Sequence, residues 1–193
     1  MFIENWYSDG QAILLAELTK ETALVLGELI EFGSWQGKSS IAIANACYPS
    51  PLHVVDHWLG NLDEDKNNIS VISARERDVF TEFQQNIAEQ TRGNVIVHKQ
   101  DWREFISEWN GTKIRFCHID ASHDYISVKD NILAVLPFMT EGGILCGDDW
   151  ESAHLGRTDL NGGVQRAVME TLSEYQSEGN LWYYRIPPST SQA

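Results

Sequence analysis

The stretch IEFGSWQGKSSIAIANAC (Ile30–Cys47) decides how the chain is read. Its apolar start, its glycines at 33 and 37 and the run of small residues after them describe a buried strand, a tight turn and a helix. Gly37-Lys38-Ser39 has the ending of a phosphate-binding loop. That loop needs four residues between its first glycine and the Gly-Lys pair, so that successive backbone N–H groups wrap a phosphate. Only three separate Gly33 from Gly37, and Phe32 stands where the glycine belongs. Glu31, at the end of the strand, would also oppose a phosphate where a helix terminus invites one. A ligand carrying an amine suits this turn better, which disfavours a nucleotide triphosphatase.

The same strand–turn–helix alternation continues on both sides. A first helix is expected over Asp9–Gly27, with Asp9 as its cap and Ile13, Leu14, Leu18 and Leu24 on its apolar face. ELIEF (28–32), LHVVD (52–56), NVIVHK (94–99), IRFCHID (114–120) and GILCG (143–147) read as largely buried parallel strands. Helices are expected near 38–47, 72–91, 101–109, 123–136 and 162–177, and LWYYRIP (181–187) as a last strand. Alternation of this kind specifies an α/β fold with a doubly wound, mostly parallel, Rossmann-like sheet, whose ligands lie beyond the carboxyl ends of the strands. The expectation is a single domain over 1–193, divided into an N-terminal helical segment (1–27) and an α/β core (28–193), with a shortened C-terminal strand pair of which only one strand is legible.

Composition narrows the partners. The 14 Lys and Arg residues stand against 28 Asp and Glu, a formal charge of −14 that repels nucleic acid and anionic membranes. The same field favours a divalent cation or a small cationic ligand. Apolar content of 42%, with no run long enough to span a membrane and no basic N-terminal region, points to a cytoplasmic protein without a signal peptide. Cys47, Cys117 and Cys146 lie far apart in apolar runs and read as core thiols. A homo-oligomer is left open.

The strand ends carry the chemistry. Asp56, about twenty residues beyond the glycine turn, can accept hydrogen bonds from vicinal ribose hydroxyls, with His57 and Trp58 following it. Asp101 can take an adenine amino group, with Trp102 covering the base, or can cap the next helix with Glu104 completing a capping box. Asp120, Asp148 and Asp149 end two strands expected to be neighbours, and three converging carboxylates need a cation or a proton among them. All-oxygen ligation points to magnesium before calcium or manganese. His123 stands near the same place with a ring suited to a general base; His57 and His154 are rivals.

In this order, EFGSWQGKSS, VVDHW, HIDASHDY, VLPFMTEGGILCGDDW and GGVQRAV resemble the class I S-adenosylmethionine-dependent methyltransferases, and among them the metal-dependent sugar O-methyltransferase and cephalosporin hydroxylase-type group. The resemblance implies that Glu31, Gly33 and Ser34 face the methionine part of the cofactor, Asp56 with His57 its ribose, and Asp101 with Trp102 its adenine. It also implies that Asp120, Asp148 and Asp149 hold magnesium. Methyl transfer to a hydroxyl of a small sugar- or polyol-like acceptor would follow, with His123 or Asp120 taking the proton. The alternative is a domain of the same fold that binds the cofactor without turnover.

Overall fold

A computed structural model describes residues 2–62, 68–151 and 162–188. Seven strands, β1 (Glu28–Phe32), β2 (Leu52–Asp56), β3 (Val95–Lys99), β4 (Ile114–Ile119), β5 (Met139–Gly147), β6 (Gln176–Glu178) and β7 (Leu181–Arg185), form one sheet in the order β3-β2-β1-β4-β5-β7-β6. The first five strands are parallel, and β7 runs antiparallel to β5 and β6. The doubly wound sheet expected from the alternation is therefore present.

Helices α1 (Asp9–Glu21), α2 (Lys38–Cys47), α3 (Ile69–Glu76), α4 (Val79–Gln90), α5 (Trp102–Ser107), α6 (Tyr125–Val135) and α7 (Gly163–Thr171) flank it. Leu15 and Leu18 of α1, Ile43 of α2 and Phe83 of α4 pack on one face with Leu29, Val54 and Phe116. Phe105, Val128, Ile132, Val164 and Val168, from α5, α6 and α7, pack on the other with Ile30, Cys117 and Leu145. Consecutive strand residues alternate between these two cores, which is why the central strands read as unbroken apolar runs. The three cysteines are buried free thiols, as expected.

Several boundaries move for identifiable reasons. Ser8, not Asp9, caps α1: its side chain accepts from the Gln11 N–H while the Gln11 side chain accepts from the Ser8 N–H, a full capping box. The helix stops at Glu21, and of its expected apolar face only Leu18 is buried; Ile13 and Leu24 are exposed. The helix expected over 72–91 is two, because Arg77 is extended and Asp78 starts a new helix by accepting from the Thr81 N–H. Strand β3 lies at the sheet edge, so Ile96 and Val97 are exposed rather than buried.

The partner of the last strand lies within the expected helix 162–177. That helix ends at Thr171, and Gln176–Glu178 pairs with β7 as a short hairpin. All three residues of β6 are exposed and polar, so no apolar alternation marks them.

Candidate active site

A cavity of about 770 Å³ opens beyond the carboxyl ends of β1, β2, β4 and β5. It exists because the chain turns sharply after each strand. At Gly33 the backbone is left-handed (φ 82°), and a Cβ there would lie 2.1 Å from the Asp120 carbonyl oxygen. Only glycine lets the β1 and β4 turns pass so closely. Asp56 then fixes the turn: one carboxylate oxygen accepts from the backbone N–H groups of Ser34 (2.9 Å) and Trp35 (3.0 Å), and the other from that of Trp58. His57 lies beside it, its Nδ1 accepting from the Leu59 N–H.

Of the residues expected to meet a cofactor, Gly33, Ser34, Asp56, His57, Asp101 and Trp102 all line this cavity. Asp101 also caps α5 by accepting from the Arg103 N–H, rather than completing a capping box with Glu104. Trp102 is buried, with its indole nitrogen unpartnered among the described residues, and the Ser34 hydroxyl is likewise unpartnered. Glu31 is placed differently. It is fully buried below the turn, where it accepts from the Ser40 hydroxyl and lies 3.2 Å from His118 Nδ1, and it is not part of the cavity wall.

The acidic residues do converge, because β4 and β5 pair in parallel and end together. Potential ligand atoms of Asp120, His123 and Asp149 lie within 4.8 Å of one another. His123 Nε2 stands 2.8 Å from Asp149 and 3.5 Å from Asp120. Asp148 enters from the side: its Oδ1 accepts from the Gln11 amide of α1 at 2.7 Å. Burial, then the Asp120 and Asp149 charges, push the Asp148 carboxyl well above the usual carboxylate range. Asp120 is raised for the same first reason, with His123 opposing the shift.

Sequence reasoning missed three contributors. Asn61 places its amide 3.2 Å from His123 Nδ1 and so orients the ring. Gln11 ties the first helix to Asp148. Residues Phe2, Glu4, Trp6 and Tyr7 form a strap along the cavity wall, fastened where the Glu4 carboxylate accepts from the Trp35 indole and pairs with Arg77. The Gln36 side chain holds the strap's backbone by accepting from the N–H groups of Ile3 and Glu4. No local pattern marks these residues; only the path of the N-terminal segment does. Lys38, by contrast, pairs with Asp9 and donates to Asn5, so the Gly-Lys-Ser tail has no phosphate-binding form. His154 lies outside the described residues.

A family profile described as a methyltransferase domain matches residues 30–150, from β1 through the end of β5. The chain belongs to this methyltransferase family. This membership agrees with the resemblance to the class I S-adenosylmethionine-dependent methyltransferases read from its motifs. Among solved structures, the methyltransferase is similar to the O-methyltransferase TomG from Streptomyces achromogenes, described as involved in tomaymycin synthesis and in complex with SAM (TM-score 0.68, 18% identity, 94% of this chain and 82% of that one). It is also similar to the calicheamicin methyltransferase CalS11 (0.67, 15%, 92% and 80%) and to the O-methyltransferase NovP (0.63, 17%, 92% and 80%). These likenesses establish the fold. No curated protein sequence matches the methyltransferase. Among the described residues no helix is long and apolar enough to cross a membrane.

Proposed function

We propose that this methyltransferase moves a methyl group from S-adenosylmethionine to a hydroxyl of a small sugar- or polyol-like acceptor, with a divalent cation at the ends of β4 and β5. The observation that carries this reading is the meeting, on one cavity wall, of the phosphate-averse glycine turn with the Asp120–His123–Asp149 cluster. The cavity residues fit the cofactor. Ser34 and Trp102 line it and each carries a buried polar atom without a partner among the described residues, and Asp56, Asp101 and the bare backbone at Gly33 offer acceptors and close approach.

The acidic cluster fits a hard cation as well. Asp120 and Asp149 supply carboxylate oxygens, which suits an ion held by one or two carboxylates and otherwise by water or acceptor oxygens. The expected ligand set narrows, since Asp148 is engaged by Gln11 and serves as an outer partner that neutral protonation would suit. When bound, S-adenosylmethionine supplies an activated methyl group and the cation a Lewis acid that makes a hydroxyl more acidic.

The remaining work falls to the chain. His123 removes the acceptor proton through Nε2, while the Asn61 amide, which can turn over to donate or accept, holds whichever ring tautomer results. Asp120, brought against the Gly33 turn, keeps the acceptor oxygen close to the methyl donor, and proximity supplies much of the acceleration.

The test is calorimetry with S-adenosylhomocysteine, with and without magnesium, followed by methyl transfer to vicinal diols. Binding is expected in both conditions, and transfer is expected to stop on chelation and in Asp149→Asn. No binding of S-adenosylhomocysteine under either condition would sink the reading, and transfer that survives chelation would remove the cation from it.

A further inference from the structure

One side chain joins the start of α1 to the end of β5. Gln11 Oε1 accepts from the Ser8 N–H at 2.8 Å, and Gln11 Nε2 donates to Asp148 Oδ1 at 2.7 Å. A backbone N–H needs an acceptor and a carboxyl oxygen a donor, so the two contacts together fix which way the amide points. The helix start by itself does not ask for glutamine, because a glutamate closes a capping box equally well. A glutamate, however, would set a fourth carboxylate beside Asp120, Asp148 and Asp149. The amide is needed at its Asp148 end.

Each end of that amide leads to the cavity. Ser8 directly follows the strap, residues 2–7, whose far end is held where the Gln36 side chain accepts from the N–H groups of Ile3 and Glu4. Gln36 and Gln11 are thus clasps at the two ends of the strap. On the other side, Asp148 is only 7% exposed and is followed by Asp149, whose backbone is left-handed at φ 62°. Few residues other than glycine take that conformation, and where one does its surroundings must hold it. Held there, Asp149 places its Oδ2 2.8 Å from His123 Nε2, within the cluster that fits a cation. Gln11 pins the residue from which Asp149 reaches that cluster.

We infer that Gln11 is a positioning residue that couples the strap to the cation site: with the strap seated, its amide holds Asp148, and through it Asp149, in the geometry a divalent cation needs. Coupling of this kind is reciprocal, so a bound cation also holds the strap against the cavity wall. This inference rests on the divalent cation of the proposed function.

Mn²⁺, added alone and followed by electron paramagnetic resonance, reads the cation site, and its loss in Asp149→Asn identifies the signal. Gln11→Ala and Ser8→Ala both open the capping box, but only the first removes the donor to Asp148. Gln11→Ala is expected to weaken Mn²⁺ binding by about tenfold or more, the range for a group that orients a metal ligand, and Ser8→Ala by under about threefold. Chymotryptic cleavage after Trp6 and Tyr7 reads the strap. Mg²⁺ is expected to slow that cleavage in the wild type and to lose most of this effect in Gln11→Ala. Unchanged Mn²⁺ affinity in Gln11→Ala, an equal loss in both variants, or strap cleavage that Mg²⁺ does not slow in the wild type would each overturn the coupling. Wild-type protein that binds no Mn²⁺ would instead remove the cation from the proposed function, and this inference with it.

Discussion

Glu31–His118 and Asp120–His123 join the same two functional groups in one sheet, and the molecule uses them in opposite ways. Glu31 and His118 are register partners on β1 and β4, so their side chains leave the sheet on the same face. Both are fully buried, and Ser40 of α2 satisfies the second carboxylate oxygen. Asp120 comes just past the end of β4, where the covering helices give way to the cavity, and its partner His123 is shared with Asp149. Within a strand, packing closes such a pair into a structural brace. Beyond the strand end it stays open to a ligand, which is where this fold class keeps its chemistry.

Perturbing the two places separates these roles. The largest effect is expected from Glu31→Leu, which removes one partner of a sealed pair. Chemical denaturation should show a loss of roughly 3–5 kcal/mol, the usual consequence of leaving a buried charge or donor uncompensated. A loss below about 1 kcal/mol would show that the brace is dispensable. The open site should respond with the opposite sign. Asp148 has a folded-state pKa raised by burial and by its carboxylate neighbours. Its burden on stability is therefore absent below the unfolded pKa near ~3.9, grows as pH rises from there toward the folded value, and is constant above it. Asp148→Asn keeps an oxygen to accept from Gln11 and removes the charge. It is expected to gain roughly 1–3 kcal/mol at pH 7, with the gain vanishing toward pH 4. A destabilised variant at pH 7 would break the contrast with Glu31.

A third histidine site offers the smallest effect and an intermediate case. His53 Nδ1 and His98 Nε2 lie 2.9 Å apart between β2 and β3, and His53 Nε2 is 3.7 Å from Glu28. Burial lowers both histidine pKa values, in His53 against the pull of Glu28. A depressed folded pKa means that the unfolded chain takes up protons first. The stability these residues hold above about pH 6.5 should therefore fall as pH drops through their folded values. Replacing both by Gln should flatten the stability profile between pH 7 and 5 by under about 1 kcal/mol, measured by denaturant midpoints. No flattening would mean that the pair is solvated well enough to titrate normally.

Much of this was legible in the chain. Runs such as IRFCHID and GILCG marked central strands because residues packed on both faces must be apolar throughout. Asp120, Asp148 and Asp149 were expected at neighbouring strand ends, and the parallel pairing of β4 and β5 puts them there. Glu31 shows where legibility stops. Its place before the glycine turn suggested a ligand contact, but whether its carboxylate faces the cavity or the core depends on how α2 sets Ser40 and on His118, 87 positions away yet adjacent in the fold. Strand β6 escaped notice because a three-residue polar edge has no periodicity to detect.

The sequence by itself determined the alternation of strands and helices, the glycine turn that refuses a phosphate, and the acidic residues at the strand ends, because hydrophobic period and turn chemistry are local properties. Tertiary structure alone decided that Glu31 braces the core, that Asn61 and Gln11 orient the acidic cluster, and that a strap ending in Tyr7 lines the cavity. Those choices depend on which side chains meet across the sheet, and all but the Ser40 contact, 9 positions from Glu31, join residues from 31 to 137 positions apart that no local pattern encodes.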